Sequence, residues 1–216
     1  MTLYLISGLG ADERTFKNLK FPKSWELVYI EWIPPKKNES LNDYVLRLSS
    51  QIQVKEKFAI LGLSFGGIIA IELSKLLKPS KTFIVSSVAT RGEIPGLYKF
   101  LGSLKIHKLI PGYFLKKVNF LTFWFFGTKT FEEKNLLRNI ISNTSVEFLS
   151  WAINSLLVWQ NPIRISNLVH IHGYNDRILP LNKTNADFKI IDGGHFMIFS
   201  DANEIGKIVT ATMGYS

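Results

Sequence analysis

Gly62-Leu63-Ser64-Phe65-Gly66 reads G-x-S-x-G, and it lies where the apolar run Phe58–Leu63 passes into a helix-like run from Phe65. A serine on so tight a strand-to-helix turn holds its hydroxyl clear of the chain. The flanking glycines let neighbouring backbone pack where side chains would collide. A serine hydroxyl is a weak nucleophile at neutral pH, so it needs a base, and the base needs an orienting acid. Both follow in the order Ser, Asp, His: Asp176 in His172-Gly173-Tyr174-Asn175-Asp176, and His195 in Gly193-Gly194-His195-Phe196. Together Ser64, Asp176 and His195 could carry out acyl transfer through a covalent serine adduct. The chemistry also needs two backbone N–H groups aimed at the developing oxyanion. Phe65, directly after the serine, offers one; the loop Ser7-Gly8-Leu9-Gly10 offers the other, with Leu9 as the first candidate.

Each of these residues has rivals. Asp187 and Asp192 compete with Asp176 for the acid's role but lie close along the chain to His195 or within its strand. Asp176 itself stands in a turn-prone Tyr-Asn-Asp sequence. His107, His170 and His172 are the alternatives to His195. His170 and His172 alternate on one strand, which suits packed or supporting groups; no acidic cluster accompanies them as a metal site would require. Asp12 and Arg14 either support the loop after Gly10 or cap the next helix.

The elements that must position these groups alternate. Thr2–Ser7, Trp25–Trp32, Phe58–Leu63 and Lys81–Ser87 read as strands; Leu41–Gln53 and Phe65–Leu77 read as helices, with Ser40 the N-cap of the first. After Thr90 the pattern turns helical and aromatic up to residue 160. Strand patterns return at Asn167–His172 and Asp187–Ile191, and a helix from about Asp201 to Met213 closes the chain. The expectation is an α/β fold of about six mainly parallel strands flanked by helices. Residues 1–90 and 161–216 form its core, and a helical cap, 91–160, enters after the fourth strand. Each chemical residue then falls just past the C-terminal end of a strand, where parallel sheets place their sites.

At 216 residues the chain suits one domain. It has no cysteine, which excludes disulfides, thiolate metal sites and a cysteine nucleophile. The start, MTLYLISGLG, lacks the basic region and long apolar run of a signal peptide, and no stretch has the ~18 apolar residues of a membrane span. A cytoplasmic protein is expected. The net charge is +9. Arg91, Lys99, Lys105, Lys108, Lys116, Lys117 and Lys129 face Glu93 alone in residues 91–130, so the excess concentrates in the cap. No helix-turn-helix or zinc-finger pattern accompanies it, so a nucleic-acid partner is not expected. Phe120, Phe123, Trp124, Phe125 and Phe126 suit the cap's inner face, with Phe123, Trp124 and Phe126 lining an acyl pocket; membrane contact is the disfavoured reading.

The order of elements, with LISGLGADERTF, GLSFGG, HGYNDRILP and GGHF, resembles the serine α/β-hydrolase superfamily over nearly all the chain apart from the cap. Within it the chain is similar to small capped carboxylesterases of the pimeloyl-carrier methyl-esterase kind. The resemblance implies Ser64 as nucleophile, Asp176 as acid, His195 as base, and Leu9 and Phe65 as oxyanion donors. Two departures stand out: Ser7-Gly8 replaces the usual His-Gly, and the chain starts at what would be the family's third strand, implying a narrowed sheet. The expected activity is cleavage of a carboxylic ester or thioester without metal or organic cofactor. The substrate is a small molecule, and the cap's basic excess points weakly to an acidic leaving group such as a carrier-protein or coenzyme A thioester. The alternatives are a lyase or non-hydrolytic binding protein on the same fold, and a membrane-associated lipase.

Overall fold

Strand-forming runs that are apolar on both faces need cover on both sides, and a parallel sheet between helices supplies it. The computed structural model describes residues 1–54, 57–103 and 116–215; Lys105, His107 and Lys108 lie outside them. Among the described residues six strands form one sheet: β1 (Thr2–Ile6), β2 (Glu26–Ile30), β3 (Phe58–Leu63), β4 (Lys81–Val85), β5 (Leu168–Gly173) and β6 (Phe188–Ile190). Their order is β2-β1-β3-β4-β5-β6, and each pairing is parallel. The helices are α1 (Leu41–Leu48), α2 (Phe65–Leu77), α3 (Gly96–Ser103), α4 (Phe120–Phe126), α5 (Phe131–Asn143), α6 (Val146–Val158), α7 (Met197–Ser200) and α8 (Ala202–Thr212).

Side chains alternate along the strands between two cores. Tyr4, Ile6, Ile60 and Ile84 face α1 and α2, joined by Phe148 and Ala152 of α6. Leu3, Leu5, Leu61, Phe83 and Val85 face α7 and α8, joined by Leu136 and Ile140 of α5. Full burial of one such side chain is worth roughly 1.5–3 kcal/mol. The helices between β4 and β5 therefore share their apolar faces with both cores.

Several elements are shorter than the periodicity predicts. The first helix stops at Leu48, and Ser49–Gln51 is a single 3-10 turn. There the hydroxyls of Ser49 and Ser50 donate to the carbonyls of Leu46 and Arg47, a local alternative to continuing the helix. Strand β4 ends at Val85 because Ser86 takes φ 48°. Ser40 caps α1 as expected, accepting from the Asp43 amide at 3.1 Å.

The strand order places a topological switch at β1. The chain goes from β1 outward to β2, then returns across β1 to β3. Loops leaving the C-terminal ends of β1 and β3 therefore diverge and open a crevice between them. Ser7–Gly10 and Ser64 are those loops.

Candidate active site

Ser64 sits between β3 and α2 with φ 52° and ψ −118°, a conformation that costs of order 1–3 kcal/mol and persists only where the surroundings impose it. Those surroundings are specific. The Ser64 amide donates to Val85 O at 2.9 Å, and its carbonyl accepts from Gly67 N at 2.9 Å and from Ser87 Oγ at 2.7 Å. A Cβ on Gly62 would lie 2.2 Å from the Gly66 carbonyl oxygen, and one on Gly66 would lie 2.2 Å from the Ser7 carbonyl oxygen. Glycine is required at both places by the close approach of backbone.

The three candidate side chains stand in a hydrogen-bonded line. Ser64 Oγ is 2.9 Å from His195 Nε2, and His195 Nδ1 is 2.8 Å from Asp176 Oδ2. Asp176 and His195 are 3% and 4% exposed. The other carboxylate oxygen of Asp176 accepts from Ile178 N at 2.9 Å and Leu179 N at 2.8 Å. Burial pushes the Asp176 carboxyl up, but His195 and the Leu179 amide together hold it below its ordinary value. The rival acids are elsewhere. Asp187 binds Arg164 and the His170 amide, and Asp192 is exposed, its carbonyl meeting Lys129.

The loop after β1 closes the other side of the crevice. Ala11 N donates to Gly8 O at 2.9 Å and Ser7 Oγ donates to Ala11 O at 2.5 Å. The Trp32 indole N–H reaches both Ser7 Oγ at 2.9 Å and Gly8 O at 3.1 Å, and Thr144 Oγ1 donates to Gly10 O at 3.0 Å. Asp12 accepts from the Arg14 amide and pairs with its guanidinium, so it caps the turn that follows. Leu9, Phe65, Ser64 and His195 line one cavity of about 310 Å³, walled by Leu137, Ile140, Ile141, Leu149, Leu156 and Ile178. A larger cleft of about 420 Å³ runs along Gly10–Glu13 and Tyr29–Pro34 and reaches none of Ser64, Asp176 and His195.

The aromatic helix differs from the expected inner face. No residue of α4 is buried; Phe120 is 77% and Trp124 45% exposed. Phe126 lines the Ser64 cavity and meets the His195 ring edge-on at 5.4 Å. Phe123 and Trp124 line a neighbouring cleft with Arg177 and Asp192. The reason is geometric: α4 is two turns long, so one side of it alone faces the crevice. It is docked through its last carbonyls, Phe126 O accepting from Phe196 N at 3.0 Å and Trp124 O from Arg177 at 2.7 Å. Among the described residues no group of three or more His, Asp or Glu could hold a metal ion, and no helix is long and apolar enough to cross a membrane.

No known protein-family model matches the chain, and no curated protein matches it. Solved structures do. A thermophilic esterase from Thermogutta terrifontis superposes with TM-score 0.66 at 15% identity, over 99% of this chain and 89% of that one. An esterase from Exiguobacterium antarcticum gives 0.71 at 15%, over 98% and 91%. A bromoperoxidase from Bacillus anthracis gives 0.73 at 13%, over 99% and 91%. The chain has the α/β-hydrolase fold. As these names differ in activity, the α/β-hydrolase fold leaves function to the site.

On this α/β-hydrolase fold the residues that sequence reasoning missed are supports: Trp32 and Thr144 on the Gly8–Gly10 loop, and Ser87 on the Ser64 carbonyl. Trp32 is far from any motif, and nothing in its local sequence marks it. His170 and His172 are fully buried, as expected of supporting groups. Burial, with His172 and Arg164 nearby, lowers His170 from 6.5 to about 3. An unfolded His170 therefore binds a proton at a pH where the folded one does not. Between 6.5 and 3, stability falls as pH falls, by up to about 1.4 kcal/mol per unit from this residue. Urea midpoints measured from pH 7 to pH 4 are expected to fall less steeply in His170→Leu than in the parent chain; identical slopes would exclude this origin.

Proposed function

We propose that the protein is a serine hydrolase that cleaves a carboxylic ester or thioester through an acyl-serine intermediate. The observation that carries the reading is the unbroken line Ser64 Oγ, His195 Nε2, His195 Nδ1, Asp176 Oδ2, with spacings of 2.9 and 2.8 Å. Both distances lie within reach of proton transfer.

Ser64 Oγ attacks the acyl carbon as His195 Nε2 takes its proton. The carbonyl oxygen becomes an oxyanion held by the backbone N–H groups of Leu9 and Phe65, the latter at the positive end of the α2 dipole. The tetrahedral adduct collapses, His195 returns the proton to the departing alkoxide or thiolate, and acyl-Ser64 remains. Water then enters, His195 removes its proton, and a second collapse releases the acid and restores Ser64. Asp176 keeps Nδ1 of His195 protonated, so that Nε2 is free to accept, and stabilises the imidazolium. No metal or organic cofactor takes part.

Residues 91–160 act as a cap. Leu137, Ile140, Ile141, Leu149 and Leu156, which wall the cavity, favour an apolar acyl chain. Lys117 on the same wall favours an acidic group on the leaving side. The esterases among the similar structures support a small-molecule ester substrate.

A fluorophosphonate probe is expected to label Ser64, located by peptide mass spectrometry, and a panel of p-nitrophenyl esters and acyl thioesters graded by chain length is expected to give a burst of one equivalent. A folded protein showing neither label nor burst would rule out the acyl-serine route and leave the lyase and binding readings standing.

A further inference from the structure

The triad geometry depends on where Asp176 stands, and Asp176 stands on the four-residue turn Asp176–Leu179. The amides of Ile178 and Leu179 both point at its Oδ1, at 2.9 and 2.8 Å. The carbonyls of the same two residues are held by side chains from other elements. Leu179 O accepts from His172 Nε2 at 2.7 Å, and Ile178 O accepts from the Tyr98 hydroxyl at 3.0 Å. His172 belongs to β5 and Tyr98 to α3. Each of the two residues that feed the carboxylate is thus fixed at both its N–H and its C=O.

Proton positions follow from the acceptors. A carbonyl can only accept, so His172 carries its proton on Nε2. Its Nε2 also lies 3.5 Å from Asp176 Oδ2, too far to compete with the 2.7 Å contact. If His172 is neutral its Nδ1 is bare, and it must accept from the Nε2–H of His170, 3.0 Å away. Burial lowers both imidazoles from the ordinary histidine value, so neither is a buried cation competing with His195 for Asp176. The pair is an uncharged relay of hydrogen bonds from the interior of the sheet to the turn.

The geometry points to His172 and Tyr98 as positioning residues that clamp the Asp176–Leu179 turn, one from the sheet and one from the inserted helices, and so hold Asp176 Oδ2 on His195 Nδ1. This rests on the hydrolase reading above for its kinetic consequence. Neither side chain is part of the Ser64 cavity wall, so neither touches the acyl group there. Loss of either should act on turnover through the carboxylate and leave substrate affinity alone. A shift near 1 Å in a positioned group can cost about 10²-fold, and one buried hydrogen bond contributes several-fold.

The test is a KM-against-kcat comparison on His172→Phe, His172→Gln and Tyr98→Phe, with the p-nitrophenyl ester turned over fastest by the parent. His172→Phe is expected to lower kcat about tenfold or more, and Tyr98→Phe about threefold to tenfold, each with KM within about twofold. His172→Gln places an amide N–H where Nε2 stood and is expected to recover most of the lost kcat. A purely structural role would lower the yield of folded protein and leave kcat per active site, titrated by fluorophosphonate, at the parent value. That result in Tyr98→Phe or in folded His172→Phe overturns the proposal.

Two measurements do not depend on activity or on the folding of His172→Phe. In the parent chain, 15N imidazole spectra at neutral pH are expected to show His172 protonated on Nε2 and bare on Nδ1; the opposite tautomer overturns the clamp. Amide exchange at Ile178 and Leu179 is expected to be slow in the parent and faster in Tyr98→Phe; equal rates count against Tyr98. A parent chain that shows the expected tautomer and slow exchange yet takes no label at Ser64 would refute the hydrolase reading while leaving the clamp in place.

Discussion

On the proposed acyl-serine route, Ser64→Ala is expected to lower kcat on ester substrates by about 10⁴–10⁶-fold, because that route loses its nucleophile. The substitution removes one oxygen and leaves the backbone alone. Alanine meets the same strain at φ 52° as serine does, so the fold and its melting temperature should stay close to the parent's. The cavity of about 310 Å³ also keeps its apolar walls, so a substrate or an unreactive analogue should bind with little change in Kd. Steady-state hydrolysis paired with equilibrium binding separates these effects. A Ser64→Ala enzyme turning over within tenfold of the parent would sink the acyl-serine mechanism. Unchanged binding with unchanged chemistry would point to a lyase-like use of the cleft.

Gly66→Ala is expected to be nearly as damaging by a different route. Its added Cβ would stand 2.2 Å from Ser7 O and 2.5 Å from Ile6 O. Both are backbone atoms at the end of β1, so no side chain can swing away. Either α2 lifts from the sheet or the end of β1 retreats, and both moves change the distance from Ser64 to the loop that carries Leu9. Overpacking of this kind costs typically about 1–3 kcal/mol, or a fall in Tm of roughly 2–12 °C for a chain of this size. Activity should fall by more than stability does. Gly96→Ala is the matched control, since a Cβ there meets nothing within 4 Å. Calorimetry and burst amplitude on the two variants check the expectation; equal behaviour would mean that the elbow tolerates displacement.

The strands and α2 were legible because each carries a strong local signal. Phe58–Leu63 and Phe65–Leu77 appear in the structure with the bounds the sequence predicts. Asp176 and His195 could be singled out because each follows a strand, and the C-terminal ends of parallel strands lie along one edge of the sheet; the structure brings both into line with Ser64. The failures have a common physical cause. Helix α4 is apolar almost throughout, so its sequence has no periodicity from which to tell the inner face from the outer. Its docking runs through the carbonyls of Trp124 and Phe126 and the Arg177 guanidinium over the Trp124 ring, contacts that the spacing of its own side chains does not encode. Trp32, Thr144, Ser87 and Tyr98 act through hydrogen bonds to backbone carbonyls distant in sequence, and such contacts exist only once the chain is folded. The ends of α1 and β4 shifted because serines at positions 49, 50 and 86 settle local geometry by hydroxyl bonding or positive φ, at a scale finer than hydrophobic spacing.

Ser64 and His195 are separated by 131 positions, and the walls that bend the Ser64 backbone come from β1 and β4. Protein synthesis at about 5–20 residues per second leaves roughly 7–26 seconds between the addition of the two. Throughout that interval the growing chain holds a hydroxyl without the imidazole of His195 beside it, although β1 and β4, which shape its turn, are made well before that residue. If the proposed acyl-serine route holds, the chain is inert toward acyl groups until residues 176 and 195 have been added and have docked beside the serine.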